Sequence, residues 1–250
     1  MEGYRPETYG ERIAGVYDAM MTVLPDPADC VDRLAELAGP GPALELGVGT
    51  GRVALPLAAR GVEVHGIDAS EAMVERLAAK PGGDAVTVTL GDFAGVPTEG
   101  SYPLVYVVFN TFFSLLTQDD QLRCFAAVAD HLAPGGAFVL AGFVPDPTLY
   151  HGGQSVRTVQ LGLDQARLDM ALHDPVAQRV DFQHAVVSGD GVRLYPGAIR
   201  YAWPSELGLV PTRLAGLALR ERWGGWRREP FDAASTGHVS VYEHAGTAAS

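Results

Sequence analysis

Three alternating glycines follow an apolar segment near residue 45, and this arrangement constrains the chain more than any other feature. Residues 43–47 are predicted to form a buried strand, and Gly47, Gly49 and Gly51 lead from it into a helix predicted at about 51–60. Glycines at such a turn let the backbone approach a ligand closely, and the first N–H groups of the helix are free for polar contacts. The pattern therefore predicts a nucleotide-type binding site at the end of a strand.

The spacing of these glycines argues against two common nucleotide-binding motifs. A dinucleotide fingerprint requires G-x-G-x-x-G, and the position of its third glycine is occupied by Arg52. A phosphate-binding loop requires a lysine followed by serine or threonine, and no lysine follows Gly51. We therefore expect neither NAD nor ATP bound by these routes.

Strands and helices alternate through the first 143 residues, which is typical of a parallel, doubly wound sheet. The predicted strands lie at 43–47, 62–67, 86–90, 102–109 and 137–143, and the main helices at about 51–60, 70–80 and 118–132. Residues 155–203 then show strand periodicity without helices, as in the alternation of Leu168, Met170 and Leu172 with polar neighbours. We therefore predict an antiparallel insertion there, followed by a helix at 204–214 and two closing strands near 216–223 and 237–244.

The length of the chain fits one domain. A chain of 250 residues can bury one full α/β core, so we expect a single domain over 1–250. We assign 1–38 to an N-terminal helical cover and 155–203 to the insertion. Tyr9, Ile13, Val16, Tyr17 and Met20 share one helical face, which predicts a single short amphipathic helix at the start of this cover.

Motifs that occur in order along residues 43–137 resemble those of class I S-adenosylmethionine-dependent methyltransferases. They are Glu45 before the G-x-G-x-G turn, GIDAS at 66–70, GDF at 91–93 and LAPGGA at 132–137. The resemblance implies an α/β fold with a Rossmann-like, doubly wound sheet of seven strands, the last one antiparallel. It also implies S-adenosylmethionine as the cofactor and methyl transfer as the reaction.

The insertion indicates the size of the acceptor. Open α/β sheets bind ligands beyond the carboxyl ends of their strands, and an insertion after the fifth strand emerges there. Small-molecule N- and O-methyltransferases of the family often carry an antiparallel lid at this point. We therefore expect methyl transfer to nitrogen or oxygen of a small metabolite. The many glycines and alanines and the few lysines suggest a bacterial natural-product pathway, by analogy alone.

Two other functions remain open from the sequence. The same fold and cofactor could serve a non-methylating reaction, such as a cyclisation in which the sulfonium only shapes the pocket. A non-catalytic sensor of S-adenosylmethionine would instead expose a large apolar patch and lack an acceptor cavity.

The resemblance implies cofactor contacts along the carboxyl ends of the first four strands. Asp68 would accept hydrogen bonds from the ribose hydroxyls, and Asp92 would accept one from the adenine amine, with the base between Phe93 and Met73. Glu45 would lie near the amino group of the methionine moiety, and Tyr17 and Arg52 near its carboxylate. The expected cofactor contacts are Tyr17, Glu45, Gly47, Gly49, Thr50, Gly51, Arg52, Asp68, Ala69, Met73, Gly91, Asp92, Phe93, Phe109 and Asn110.

Several of these residues also have an ordinary structural interpretation. Asp68 is a plausible turn or N-cap residue, Met73 a core residue of its helix, and Tyr17 an anchor for the N-terminal helix. Glu45 is harder to explain in this way, because burying a carboxylate in an apolar strand is costly without a partner.

Two histidines are the candidates for a catalytic base. His184 shares the face of a predicted strand with Val180, Phe182 and Val186, and His151 follows the fifth strand. For both, a histidine satisfied within the packing is the more common alternative. Methyl transfer requires a base only when the acceptor must lose a proton. The expected acceptor contacts are Asn110, Thr111, Phe112 and Tyr201. The scattered histidines predict no metal site.

Charge and cysteine usage limit the partners and the compartment. The net charge of −12 disfavours nucleic-acid binding. Cys30 and Cys124 are far apart and form no metal or disulfide motif. Residues 1–24 lack the apolar core of a signal peptide, and no apolar run reaches the length of a membrane span. We expect a cytoplasmic monomer or homodimer that binds no membrane.

Overall fold

A seven-stranded mixed sheet forms the centre of the molecule. The computed structural model describes residues 1–22 and 26–246. The strands of this sheet are β1 (Ala43–Leu46), β2 (Val64–Asp68), β3 (Val86–Leu90), β4 (Tyr102–Val107), β5 (Leu132–Phe143), β10 (Leu217–Trp223) and β11 (Gly237–His244). Their spatial order is β10-β11-β5-β4-β1-β2-β3. Strands β1 to β5 are parallel, and β11 is antiparallel to both β5 and β10, so the predicted fold class is confirmed.

Helices cover both faces of this sheet, which explains why its central strands are almost wholly apolar. The helices are α1 (Thr8–Ile13), α2 (Tyr17–Met21), α3 (Ala28–Ala38), α4 (Ala54–Ala58), α5 (Glu71–Ala78), α6 (Gln118–His131) and α7 (Pro204–Leu214). One core cluster joins the sheet to α3 and α4, and a second joins its other face to α6 and α7. The strand order reverses between β1 and β4, and ligands bind open α/β sheets at such a point.

The antiparallel insertion after β5 is confirmed as a separate four-stranded sheet. Its strands are β6 (Gln154–Leu161), β7 (Gln165–Asp174), β8 (Arg179–Ser188) and β9 (Gly191–Arg200), paired in sequence order. The register places His184 opposite Asp169 on one side and Tyr195 on the other. Because directly paired residues project to the same face of a sheet, these three side chains share one face.

The N-terminal segment forms two short helices, where the periodicity predicted one. Helix α1 ends at Ile13 and α2 begins at Tyr17, with Gly15 exposed in the break between them. Glycine disfavours a continuous helix by about 1 kcal/mol relative to alanine, which accounts for a break at this position. Ile13 and Met20 still share a small core with Met73 of α5 and Tyr195 of β9. Helices α1 and α2 therefore lie between the main domain and the insertion sheet.

Candidate active site

The glycine turn after β1 depends on backbone conformations that other residues rarely adopt. Gly47, Gly49 and Gly51 have φ angles of 74°, 52° and 80°. A Cβ atom at position 47 would overlap Cγ2 of Thr111, and one at position 51 would lie 2.9 Å from Cγ of Leu55. The turn is therefore restricted to glycine by conformation at all three positions and by space at two of them.

Asp68, at the end of β2, fixes this turn from the neighbouring strand. Its Oδ2 accepts a hydrogen bond from the Gly49 N–H (2.7 Å), and its Oδ1 accepts one from the Ser70 N–H (2.9 Å). Burial raises the pKa of Asp68, although the donating backbone N–H groups act in the opposite direction. Asp68 therefore stabilises the turn, which is the structural role that the sequence analysis gave as an alternative to cofactor binding. The Ala69 N–H also acts on this carboxylate, so of its about four acceptor positions one remains for the predicted ribose hydroxyls.

Glu45 is a buried carboxyl group in the middle of β1, with 4% of its surface exposed. Its Oε2 accepts a hydrogen bond from the Tyr106 hydroxyl (3.0 Å), and the Ala54 N–H also donates to the carboxyl group. Burial raises the pKa of Glu45 to about 8. A cation brought beside Glu45 would stabilise its ionised form, so the site suits the ammonium group of an amino-acid moiety.

Tyr17 lies within electrostatic reach of both Glu45 and Arg52. Burial raises the pKa of the Tyr17 hydroxyl, the positive charge of Arg52 opposes that change, and the negative charge of Glu45 adds to it. The Arg52 guanidinium lies over the ring of Phe109, 4.4 Å from its centroid. The fold thus brings residues from α2, the glycine turn and the end of β4 together at one edge of the sheet.

The turn after β4 holds two consecutive non-glycine residues in the left-handed region. Phe109 has a φ of 54° and Asn110 a φ of 70°. The Asn110 Oδ1 accepts a hydrogen bond from the Phe143 N–H (2.8 Å), which ties this turn to the end of β5. Conformations of this kind cost about 1–3 kcal/mol each and cluster at functional sites. Here they leave the Phe109 ring partly exposed beside Arg52.

Thr50 connects the glycine turn to the N-terminal helices. Its hydroxyl donates to Asp18 Oδ1 (2.7 Å), and Lys80 Nζ donates both to Asp18 (2.9 Å) and to the Thr50 carbonyl oxygen (2.8 Å). The sequence analysis identified neither Asp18 nor Lys80, because their partners lie on other elements. The hydroxyl of Thr50 is occupied by this contact, so its side chain holds α2 against the turn.

The residues expected around adenine lie in different environments. Asp92 is exposed and accepts a hydrogen bond from the Ala94 N–H (2.9 Å), whereas Phe93 is buried in the core. Met73 packs within the core that α1 and α2 form with α5, which agrees with the alternative interpretation of Met73 as a core residue.

Ala69 and Gly91 lie next to Asp68. Ala69 is partly exposed after Asp68, and the Gly91 N–H donates to the Asp68 carbonyl oxygen (2.8 Å). Their contacts with adenine remain predictions.

His184 faces the N-terminal helices from the insertion sheet and is paired with Asp169. The His184 Nδ1 lies 2.6 Å from Asp169 Oδ1, and the ring contacts those of Tyr9 and Phe182. Burial alone would raise the pKa of Asp169, but the hydrogen bond from His184 and the nearby charges, including that of Arg167, lower it. Burial raises the pKa of Tyr9, which therefore remains a hydroxyl donor.

Asp169 and Tyr9 were not identified as candidates from the sequence. Asp169 occupies a polar position of an alternating strand, and only the register of β7 against β8 places it opposite His184. Tyr9 appeared only as one apolar member of a helical face. Strand alternation was the available signal for Asp169, and alternation does not specify a partner.

Other expected catalytic and acceptor residues lie elsewhere. His151 is exposed before β6, where it forms an isolated β-bridge with Gln154, and it does not take part in the pairing of His184 with Asp169.

The expected acceptor residues lie in different places. Phe112 is 1% exposed and packs against Phe125, so we reassign it from acceptor contact to core. Tyr201 is buried with its hydroxyl 3.0 Å from His173 Nε2. The Thr111 side chain lies against Gly47, at the glycine turn.

A cleft of about 600 Å³ lies between α2 and the hairpin ends of the insertion. Arg167 and Tyr195 are part of its lining, and they are strand neighbours of Asp169 and His184. The Arg167 guanidinium also donates to the Met20 carbonyl oxygen (2.9 Å) on the α2 side. The cleft therefore adjoins the paired side chains of the insertion sheet. Its other lining residues are Val16, Ala19, Met20, Gln160, Asp164, Gln165, Ala166, Val186, Ser188, Gly189, Asp190 and Arg193.

Two further observations concern metals and membranes. Within residues 1–22 and 26–246, no group of three or more His, Cys, Asp or Glu side chains is arranged to hold a metal ion. None of the helices formed by those residues is long and apolar enough to cross a membrane.

Sequence comparison identifies related proteins. Residues 43–136 match a family model described as a methyltransferase domain. The cypemycin N-terminal methyltransferase of a Streptomyces species is 28% identical over 242 residues, which cover 95% of this chain and 98% of the relative.

Structural comparison identifies solved relatives of similar size. The CcbJ methyltransferase from Streptomyces caelestis is 43% identical, with a TM-score of 0.91 over 97% of this chain and 100% of the other. The amino pentose methyltransferase CalS10 from Micromonospora echinaspora, in its S-adenosylmethionine-bound structure, has a TM-score of 0.68 over 91% of this chain and 96% of its own. At 22% identity, this last likeness concerns the fold alone.

Proposed function

Because this chain belongs to the class I S-adenosylmethionine-dependent methyltransferases, we propose that it methylates an amine nitrogen of a small natural product. The family assignment establishes the enzyme class and the cofactor. Nitrogen as the acceptor atom and the roles of individual side chains are our proposal. The proposed base rests on the pairing of His184 with Asp169. Both lie on the face of the insertion sheet that contacts α1, which we term the inner face.

The glycine turn and its neighbours fit the cofactor. At Gly49 no atom lies within 4 Å of the position that a Cβ would take, so a ligand can approach the backbone there. Glu45 and Asp68 offer carboxylate oxygens at the same sheet edge. We assign Glu45 to the ammonium group, Tyr17 and Arg52 to the carboxylate, and Asp68 to the ribose. When bound, S-adenosylmethionine supplies an activated methyl group.

An amine acceptor requires the removal of a proton. Amines are protonated near neutral pH, and the nitrogen lone pair must be free before it can take a methyl group. A neutral His184 that donates from Nδ1 to Asp169 has its Nε2 free to accept that proton. Tyr9, whose hydroxyl remains protonated, would orient the acceptor by hydrogen bonding.

The cleft next to this pair suits the remainder of the acceptor. Its volume of about 600 Å³ lies within the range of roughly 300–1,000 Å³ that is usual for drug-sized ligands. Val16, Met20 and Val186 give it an apolar wall, and Arg167 and Arg193 provide donors. We propose that this cleft holds the part of the acceptor remote from the reacting nitrogen. The name of the cypemycin N-terminal methyltransferase supports nitrogen as the acceptor atom.

The decisive experiment compares amine acceptors with alcohols of the same skeleton, using cofactor labelled on the methyl group. We expect labelled product and S-adenosylhomocysteine from amines alone. Methylated alcohols would overturn nitrogen as the acceptor atom. Product formed while the cofactor stays intact would favour a non-methylating reaction, and saturable cofactor binding without turnover of any acceptor would favour a sensor.

Two histidine variants test the proposed base. His184→Ala should lower kcat by about 10²-fold and flatten its pH dependence, while cofactor affinity stays unchanged. His151→Ala is the matched control, because His151 is exposed on a loop, and it should retain full activity. Unchanged turnover of His184→Ala across pH would remove His184 from the mechanism.

We also propose that the enzyme works in the cytoplasm without contacting nucleic acid. The net charge of −12 supports this, since a phosphate backbone would be repelled. A mobility-shift titration with duplex DNA and RNA at low salt should show no complex; a complex that dissociates as salt is added would contradict this part.

A further inference from the structure

A row of small residues crosses the inner face of the insertion sheet next to His184. Strand pairing puts Ser155 opposite Ala171, Ala171 opposite Phe182, and Phe182 opposite Gly197. Because directly paired residues project to the same face, Phe182 is the one large side chain in this row.

Larger side chains border the row on both sides. Strand pairing gives Arg157, Asp169, His184 and Tyr195 on one side, and His173, Val180 and Ile199 on the other. Successive positions on one face of a strand are about 7 Å apart, so the space between these borders is narrow. We term the space above Ser155 and Ala171, which ends at Phe182, the trough.

The Phe182 ring lies over β9 and leaves β7 uncovered. A Cβ atom at position 197 would overlap Cζ of Phe182, so the ring fills the place that a side chain would take there. The φ of Gly197 lies outside the left-handed region, so space alone requires glycine at this position. Gly197 is buried, whereas Ala171 and Ser155 are partly exposed. The trough is therefore open over β6 and β7 and closed by Phe182.

The closed end of the trough adjoins the proposed base. The ring of Tyr9 on α1 lies edge-on to those of Phe182 and His184, with both centroid distances 6.3 Å. The rings of Phe182 and His184 are themselves 5.0 Å apart. A group in the trough would therefore contact Phe182 while the atom that it is attached to lies at His184.

The trough and the cleft of about 600 Å³ lie on opposite sides of His184. Val186, which follows His184 on the same face of β8, lines the cleft, and Phe182 precedes His184 on that face. The cleft offers the donors of Arg167 and Arg193, whereas the methyl group of Ala171 and the ring of Phe182 present hydrocarbon to the trough. The trough therefore suits an apolar group.

We propose that the trough holds an apolar substituent next to the reacting nitrogen, and that Phe182, packed on Gly197, limits the size of this substituent. The inference rests on the proposed function, because it takes His184 as the position of the nitrogen. In a hydrophobic pocket, one methylene group changes selection roughly 10- to 200-fold. Phe182 is therefore a specificity-determining residue, and the proton transfer remains with His184.

Kinetics with cyclohexylamine and propylamine test this proposal. Phe182→Ala enlarges the trough, so the ratio of kcat/KM for cyclohexylamine to that for propylamine should rise at least tenfold. Gly197→Ala displaces the ring toward β7, so the same ratio should fall at least tenfold. In a protein that already carries Phe182→Ala, Gly197→Ala should leave the ratio unchanged, because it acts through the ring.

Two control variants should keep the wild-type ratio. In Gly208→Ala, on α7, the new Cβ would lie 3.9 Å from Cδ2 of Leu219, which is an ordinary contact. Val187→Ala shortens an exposed side chain on the same strand as Phe182 but on its other face. Cofactor binding by each variant verifies that it folds.

A binding measurement separates this inference from the proposed function. Ligand-observed NMR gives the dissociation constants of cyclohexanol and 1-propanol in the presence of S-adenosylhomocysteine, without turnover. If neither amine is methylated but the variants shift the relative binding of these alcohols as expected, the proposed function fails and the trough stands. Ratios that stay unchanged in both single variants would overturn the proposal, as would an undiminished Gly197→Ala effect in the absence of the Phe182 ring.

Discussion

The glycine turn and the inner face of the insertion sheet are the two halves of the proposed site, and they are constructed differently. At the turn, backbone N–H groups hold Asp68, and Glu45 is enclosed by the core. On the insertion, His184 and Asp169 are half-buried side chains held mainly by each other and by neighbouring rings. The first half is fixed by the main chain, whereas the second depends on side-chain packing.

Because of this difference, substitutions in the two halves should change different measurable properties. A substitution at the turn removes backbone interactions, so it should weaken cofactor binding and global stability together. A substitution on the inner face changes partly solvated side chains, so it should alter turnover while leaving cofactor affinity intact. Variants in each half therefore test whether cofactor binding and turnover respond separately.

Gly47→Ala should have the largest effect. The alanine would need a φ of 74° and would overlap Thr111. The left-handed conformation alone costs about 1–2 kcal/mol, so we expect the cofactor dissociation constant to rise about 100-fold once the overlap is included. The thermal midpoint should fall as well. Titration calorimetry and thermal unfolding measure the two changes.

Two controls separate strain from overlap at the turn. Gly49→Ala meets no atom within 4 Å and should show the effect of conformation alone. Combining Gly47→Ala with Thr111→Ser removes the overlapping methyl group and should recover part of the affinity. A Gly47→Ala protein that binds like the wild type would show that the turn tolerates side chains.

Asp68→Ala should weaken cofactor binding about 10- to 100-fold, because the lost hydrogen bonds are worth about 1–3 kcal/mol. It should also lower stability, since the Gly49 and Ser70 N–H groups lose their acceptor. Asp92→Ala, which removes an exposed carboxylate that accepts from one N–H, is the control and should change affinity less. Equal losses in the two variants would contradict the special position of Asp68.

Asp169→Asn should lower kcat about tenfold, since an amide can also donate to His184 and favour the wrong tautomer. We expect the acceptor KM and the cofactor dissociation constant to change little. Asp169→Glu, which restores the carboxylate, should recover part of kcat if Asp169 positions His184. A loss of cofactor affinity would show that the two halves of the site are coupled.

Glu45→Gln should change the pH dependence of stability without cofactor. Burial raises the pKa of Glu45 from its ordinary value of 4.5 to about 8, so the folded wild type retains a proton that the unfolded chain releases. Wild-type stability should therefore fall as pH rises from about 4.5 to 8, by a few kcal/mol at most, and the variant should lose this slope. Urea unfolding at pH 5.5 and pH 8.5 measures it. A slope that survives in the variant would assign the titration to another group.

Cofactor binding provides a related measurement on Glu45. An ammonium group beside Glu45 would favour its ionised form, so binding by the wild type at pH 7 should release protons. Calorimetry in buffers of different ionisation enthalpy counts them, and Glu45→Gln should release fewer. Equal proton release by both proteins would place the ammonium group elsewhere.

Much of the fold was predictable because its signals are local. The helix predicted at 204–214 is observed as Pro204–Leu214, and the strand periodicity of 155–203 gave the insertion. The break in the N-terminal helix was not predicted, because the helical spacing of apolar residues continues across Gly15 although the helix itself does not. Phe112 was assigned to the acceptor pocket because it follows the end of a strand. Aromatic residues occur both in pockets at strand ends and in the core, and only the packing against Phe125 distinguishes the two.

The sequence by itself determined the sheet, its glycine turn and the carboxyl residues that end its strands, since each depends on the order of neighbouring residues. Only the tertiary structure decided which distant side chains meet: Asp169 with His184, Asp18 with Thr50 and Lys80, and Arg52 with Phe109. The physical reason is that strand register and the packing of helices on sheets are set by contacts among all elements. A periodic pattern assigns a residue to a face, and the assembled fold selects its partner.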